Sequence, residues 1–190
     1  MRGMKWLAPV LAALAVVATP ALAQSFSEGY TFLKAVRDRD GNTAQNILSN
    51  PASTAVNSRD SNGEGALHIL VRGRDLAWLR FMLGHGARPD LQTTDGTTPL
   101  ILAAQIGWYE GAETLLALRA NPNLGNGRGE TPLMFAVQRR DLQMVRLLLS
   151  QHADPNQTDH VSGNSPLDYA RMDARARAVL TELERAAPRR

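Results

Sequence analysis

The chain has no cysteine. It therefore forms no disulfide, offers no thiol nucleophile, and has no cysteine to take a lipid at a processed N-terminus. Lysine is almost missing as well. Beyond Lys5 only Lys34 occurs, so arginine carries nearly all the positive charge. The sequence also lacks a G-x-S-x-G elbow, a phosphate loop with its Lys-Ser/Thr pair, a dinucleotide fingerprint and an H-E-x-x-H pair. Those absences remove the usual nucleophilic, nucleotide-binding and zinc-hydrolase classes. Gly125-Asn126-Gly127-Arg128-Gly129 is rich in glycine, but without the lysine partner it reads as a tight turn.

Only one long apolar run is present, at the start. Arg2 and Lys5 precede Trp6 to Val17, Thr19-Pro20 breaks the run, and Ala21-Leu22-Ala23 supplies a small-x-small pattern. This predicts a secretory signal peptide over residues 1–23, cleaved after Ala23, leaving no stable membrane anchor. The run is short for a span of about 20 residues. In a bacterium the destination expected is the periplasm or beyond, the periplasm being favoured because no second targeting signal is visible, and a cysteine-free chain is stable there without disulfides. Removing Arg2 and Lys5 leaves 19 basic against 18 acidic residues, so the mature chain is nearly neutral. Arg171, Arg175, Arg177, Arg185, Arg189 and Arg190 gather near the end, but Asp173, Glu182 and Glu184 interrupt them. That pattern is a solvated helix face, and no nucleic-acid partner is expected.

What the sequence does have is a period. Asn57, Asp90, Asn123 and Asn156 are spaced by 33 residues. Gly65-Ala66-Leu67, Thr98-Pro99-Leu100 and Thr131-Pro132-Leu133 keep the same spacing, and so do Ala87, Ala120 and Ala153. Ser165-Pro166-Leu167 comes one residue late. A sustained period of this length marks a repeat array.

One unit shows the physics. Asp95-Gly96 is a turn; Thr98 can cap a helix and Pro99 suits its first position. Leu100, Leu102, Ala103 and Ala104 give a short helix with small residues for close approach, and Gly107 breaks it. Leu115, Leu116 and Leu118 continue a second helix, and Ala120-Asn121-Pro122-Asn123 ends the unit in turn chemistry. The next unit repeats the plan, with Asp141 placed to cap its second helix as Asp40 and Asp75 are elsewhere. Neither helix pair buries its apolar face alone, so stacking must make the core.

The order Asp-Gly-x-Thr-Pro-Leu, two short helices, then Ala-Asn-Pro-Asn or Ala-Asp-Pro-Asn resembles the ankyrin repeat, most clearly from Asn57 to Asn156. The resemblance implies an all-α solenoid of stacked helix-turn-helix units with β-hairpin-like finger loops, about five repeats including caps. The organisation expected is a signal peptide (1–23), an N-terminal capping repeat (24–57), three regular repeats (58–156), a C-terminal capping repeat (157–187) and a tail (188–190). In the first cap, Phe26 to Asp38 is read as a helix with Tyr30, Phe32, Leu33 and Val36 facing inward. The stretch Ser49 to Asn57 is two residues longer than its equivalents, so the first turn should differ. His68 is the only histidine at its motif position; Ile101, Met134 and Asp168 replace it, so the family's histidine relay is mostly absent. Arg119 and His152 stand where Gly86 sits in the preceding unit, and a left-handed backbone there costs each about 1 kcal/mol.

No metal or other cofactor is expected. His152, Asp154, Asp159 and His160 can approach around one turn, but no spacing supports a closed ligand set. No pair of carboxyls is specified for acid–base work, so the chain is read as a non-enzyme. The family resemblance implies protein binding through the fingers and the exposed side of the first helices. Carried over residue by residue, it gives Arg59, Ser61, Asn62, Glu64 and Arg72; Gln92, Thr94, Asp95, Thr97 and Gln105; Arg128, Glu130, Gln138 and Arg139; and Thr158, His160 and Asn164. Trp108 joins them as a candidate aromatic anchor, with packing on the neighbouring repeat as its alternative. Tyr109 and Trp78 match inward positions. The function expected is a monomeric, non-catalytic periplasmic module that binds an exported protein. The alternative is a chaperone-like, protective or inhibitory factor for one periplasmic enzyme.

Overall fold

A computed structural model describes residues 20–187, with side-chain placement from Glu28 onward. Most of the predicted signal peptide (residues 1–19) and the tail (188–190) lie outside the described residues. The described chain is built from ten α-helices: α1 (Pro20–Asp38), α2 (Gly41–Leu48), α3 (Ala66–Arg72), α4 (Leu76–Gly84), α5 (Pro99–Ile106), α6 (Tyr109–Ala117), α7 (Pro132–Gln138), α8 (Leu142–Ser150), α9 (Pro166–Met172) and α10 (Arg177–Ala186). They form five antiparallel pairs. The first helices α1, α3, α5, α7 and α9 stack in one row, and α4, α6, α8 and α10 stack in a second. Among the described residues no strand is present, so the fingers are turns joined by hydrogen bonds rather than a sheet.

Local chemistry starts several of the helices where the sequence predicts. Thr98 and Ser165 hydroxyls accept from the N–H groups of Ile101 and Asp168 at 3.1 and 3.2 Å. Asp40, Asp75 and Asp141 cap α2, α4 and α8 by accepting from Thr43, Trp78 and Met144 at 3.0, 3.2 and 3.0 Å. Small residues then let the first helices close up: Ala66, Ala103, Ala104, Ala136 and Ala170 are all buried. The apolar faces merge into one core running from Phe32 to Leu183.

Several inward assignments change. α1 begins at Pro20, ahead of Phe26, because proline suits a first helical position and Ala21-Leu22-Ala23 favours helix. Its buried residues include Gly29, Phe32, Leu33 and Val36, spaced as i, i+3, i+4 and i+7, with Ala35 beside them. Tyr30 lies off that stripe and is 69% exposed, not inward. Leu118 caps α6 and is largely exposed. Trp78 is only half-buried, near Gly41 of α2. The long first turn does differ, carrying a 3-10 turn at Ala55–Asn57.

Trp108 requires a larger correction. It is 5% exposed and part of the core, so it is not a surface anchor. It occupies the cap position that Asp75 and Asp141 hold in the flanking units, and it makes no side-chain cap. Its indole instead lies over Gly111, where a Cβ would fall inside the ring's contact distance. The flanking units place Trp78 and Met144 at the position of Gly111. The large side chain has moved three residues upstream, and the glycine leaves it room.

The period noted at Asn57, Asp90 and Asn123 is a column of stitches. Asn57 donates to the Gly86 carbonyl (3.1 Å) and accepts from Arg88 N–H (2.8 Å). Asn123 does the same to His152 and Asp154 (3.0 and 2.7 Å). Asp90 can only accept, from Asn121 N–H at 2.9 Å. The carbonyls served, those of Gly86 and His152, belong to residues with left-handed backbone (φ +84° and +63°), and Arg119, whose carbonyl Asp90 leaves without a donor from this column, has the same conformation (φ +68°), as expected for Arg119 and His152.

Arginine stitches the turns between the paired helices. Arg39, Arg74 and Arg140 have φ of +58°, +51° and +56° there. Arg39 meets Asp75 at 3.3 Å, Arg74 donates to the Ile106 carbonyl at 2.6 Å, and Arg140 donates to Asp173 at 2.9 Å. Each thus reaches the following unit. Gly107 fills this position in α5–α6, and the Arg139 guanidinium packs against it.

Two stability changes follow, both readable by urea unfolding. Glycine to alanine in a helix ordinarily gains about 0.5–1 kcal/mol. Gly111→Ala is expected to lose about 1–3 kcal/mol by overpacking Trp108. Adding Gly111→Met to Trp108→Asp should recover at least half of that single variant's loss; simple additivity would sink the exchange. Asp90→Asn supplies the missing donor to the Arg119 carbonyl and should gain about 0.5–1.5 kcal/mol.

Candidate protein-interaction face

Each finger is organised by one short polar side chain. Asp60 accepts from Asn62 and Glu64 N–H (2.9 and 3.0 Å), and Asn126 accepts from Arg128 and Glu130 N–H (2.9 and 3.0 Å). Thr93 accepts from Thr97 N–H at 2.9 Å. Asp159 holds the fourth finger through Val161 and Ser162 N–H (2.8 and 2.6 Å). These four positions are themselves 33 residues apart, but their residue types differ (Asp, Thr, Asn, Asp), so identity alone does not mark the column. Asp95, read in the sequence as a turn residue with Gly96, lies two residues past it. The extra residue before Ser165 falls in the fourth finger, where Asp159 N–H reaches Asn164 rather than the residue one earlier.

Neighbouring fingers are pinned together. Thr94, Gly127 and His160 donate backbone N–H to the carbonyls of Asn62, Asp95 and Arg128 at 2.9, 2.8 and 2.8 Å. Glycine is required where they touch. Gly96 has φ +82°, and a Cβ on it would lie 2.5 Å from Gly127 N. Gly129 is covered by the His160 ring in the same way.

This scaffold fixes the candidate residues. Arg59, Ser61, Asn62, Thr94, Asp95, Arg128, Thr158 and His160 are exposed on the fingers, and Arg72, Gln138 and Arg139 are exposed at the C-terminal ends of the first helices. Glu64, Gln92, Thr97, Gln105 and Glu130 are half-buried. Many are tied to one another. Arg72 pairs with Glu64, and Arg128 lies 3.8 Å from Glu130. Arg59 donates to the Gln92 carbonyl at 2.6 Å, and Thr94 hydroxyl to that of Asn62 at 3.1 Å. Asp95 is held below the usual carboxylate range, first by the Thr93 hydroxyl and then by Thr97. The face is polar, of mixed charge and pre-organised. His152, Asp154, Asp159 and His160 do not converge: among the described residues no cluster is placed to hold a metal ion. No described helix is long and apolar enough to cross a membrane.

Two buried polar groups support the face from behind. Asp159 is held far below the ordinary carboxylate range by the Ser162 hydroxyl, then by Ser162 N–H, the Tyr169 hydroxyl (2.7 Å) and Val161 N–H. His68 is fully buried; its Nδ1 accepts from Gly65 N–H (3.2 Å) and its Nε2 donates to the Thr97 carbonyl (3.0 Å). It links the cap of α3 to the next finger. Met134 sulfur and Asp168 carboxylate accept from Thr131 and Ser165 N–H at the equivalent sites, without the second bond onward.

Two family models match the chain over overlapping stretches: one described as ankyrin repeats (3 copies) over residues 32–126, and one described as ankyrin repeats (many copies) over residues 115–170. The chain belongs to the ankyrin repeat family. Ankyrin repeats are in general non-catalytic protein-interaction modules, so this ankyrin stack is a protein-binding scaffold. Its polar fingers and first-helix ends are the surface such a scaffold presents.

Burial holds the His68 ring below its ordinary value. Protonating Nδ1 would also break the Gly65 bond. Such a base contributes stability that is full above its unfolded value, near pH 6.5, and lost as the pH falls below it. Stability in urea should therefore drop between pH 7 and 5, by at most about 1.4 kcal/mol per pH unit from this group. His68→Gln should flatten that decline; an unchanged slope would show that His68 does not carry it.

Proposed function

We propose that this chain is a periplasmic interaction module that binds an exported protein without chemical turnover. The observation that carries the binding reading is the rigid finger face, whose backbone bonds run from unit to unit. Little ordering entropy remains to be lost when a partner docks on a surface already fixed in this way. Its mixed charge suits a protein rather than a polyanion. The export half rests on the N-terminal sequence: the positive start, the apolar run and Ala21-Leu22-Ala23. In this reading the partner contacts Thr94, Asp95, Arg128, Gln138, Arg139 and His160, and the module acts as a monomer.

The test is capture from periplasmic extract with the purified protein, against a variant carrying Arg128→Ala, Gln138→Ala and Arg139→Ala. All three side chains are exposed, so circular dichroism should show a folded variant. One saturating partner, bound at least tenfold more weakly by the variant, is the expected result. Equal capture by both proteins would remove the face. A captured enzyme whose rate or half-life changes on binding would favour the protective or inhibitory role. Mass spectrometry of the native protein should find Gln24 as its first residue; an intact residue 1 in cytosolic fractions would refute export.

A further inference from the structure

The backbone-to-backbone bonds between fingers all run in one direction. Each of Thr94, Gly127 and His160 donates N–H to a carbonyl 32 residues earlier. One unit before Thr94, the corresponding donor is the N–H of Ser61, which has no acceptor among the described residues. Among the described residues no finger precedes it, because the first unit enters the stack as the long helix α1. A cleft of about 880 Å³ lies there instead, between α1 and the first finger, with Gly29, Tyr30, Leu33, Arg37, Arg59 and Ser61 on its walls.

The cleft is lined by two arginines, Arg37 and Arg59, against one carboxylate. Its one carboxylate, Asp60, is taken by Arg37 and by the N–H groups of Asn62 and Glu64. Arg59 is exposed, donates to a carbonyl, and has no carboxylate partner among the described residues. Tyr30 adds an exposed aromatic ring beside them.

We propose that this cleft binds an extended acidic peptide segment of a partner protein. A main-chain carbonyl of the segment accepts from Ser61 N–H, extending the finger ladder by one rung. An acidic side chain pairs with Arg59, and an apolar side chain rests on Tyr30. The inference rests on the reading of the chain as a protein-binding module, but needs none of the later fingers.

Ser61 permits a clean test. Gly63 N–H donates to the Asp60 carbonyl at 2.9 Å, so Ser61 is the second residue of a β-turn, where proline fits. Ser61→Pro removes the donor and keeps the turn; Ser61→Ala keeps the donor. The probe is a fluorescein-labelled decapeptide of alternating Glu and Val, with a Lys–Val counterpart, followed by anisotropy and by the Ser61 amide resonance. The acidic peptide should bind and shift that resonance, and the basic one should not. Ser61→Pro should weaken binding about fivefold or more, and Arg59→Glu about tenfold at low salt, while Ser61→Ala stays within twofold. No binding of the acidic peptide, equal binding of both peptides, or full binding by folded Ser61→Pro overturns the proposal. Capture of a partner that survives Ser61→Pro but is lost in the Arg128, Gln138 and Arg139 variant would keep the finger face and remove the cleft. Peptide binding lost in Ser61→Pro, with capture indifferent to that triple variant, would do the reverse.

Discussion

Burial between neighbours is the constraint on which this molecule depends. A helix of seven or eight residues has too few internal bonds to persist alone, and a pair of them has only one apolar face to hide. Each inner unit here packs against the unit before and the unit after. The alanines of the first helices set how near those faces come, and the leucines and methionines of the second helices fill what remains. Because the contacts are local in sequence, the polar stitches repeat with the core. Asn57 and Asn123, the turn arginines and the finger backbone bonds all join a unit to the next one.

The same arrangement separates support from display. The groups that hold the fingers in place are mostly backbone amides and short polar side chains at the finger bases. Longer side chains are left at the tips and at the ends of the first helices, where they can vary without disturbing the stack. His68 and Asp159 are the exceptions, buried polar groups whose bonds tie finger to helix. A chain built this way varies its binding surface at low cost to its core.

Much of this was legible in the sequence because it is periodic. The helix starts at Thr98, Thr131 and Ser165, the Asp caps, the left-handed backbone at Arg119 and His152, and the irregular first turn all follow from register and local chemistry. What was not legible depends on orientation and on neighbours far along the chain. Tyr30 lies one residue from the buried stripe of α1, and an apolar residue there looks inward until the helix phase is known. Trp108 reads as exposed when its position is judged by what other repeats carry there. Its burial depends on a glycine three residues away, which no single-position rule connects to it. The arginines at Arg39, Arg74 and Arg140 were plain in the sequence, but nothing local marks them as left-handed turns that reach the following unit.

The exchange between Trp108 and Gly111 has a consequence for how such a chain can change over time. A side chain at residue 111 is excluded while the indole is present, and removing the indole first leaves a hole. Neither substitution is a good intermediate, so the pair is locked in unless both change together or the stack has stability in reserve. The third repeat is therefore tied to its present form by the shortage of tolerable single steps leading away from it.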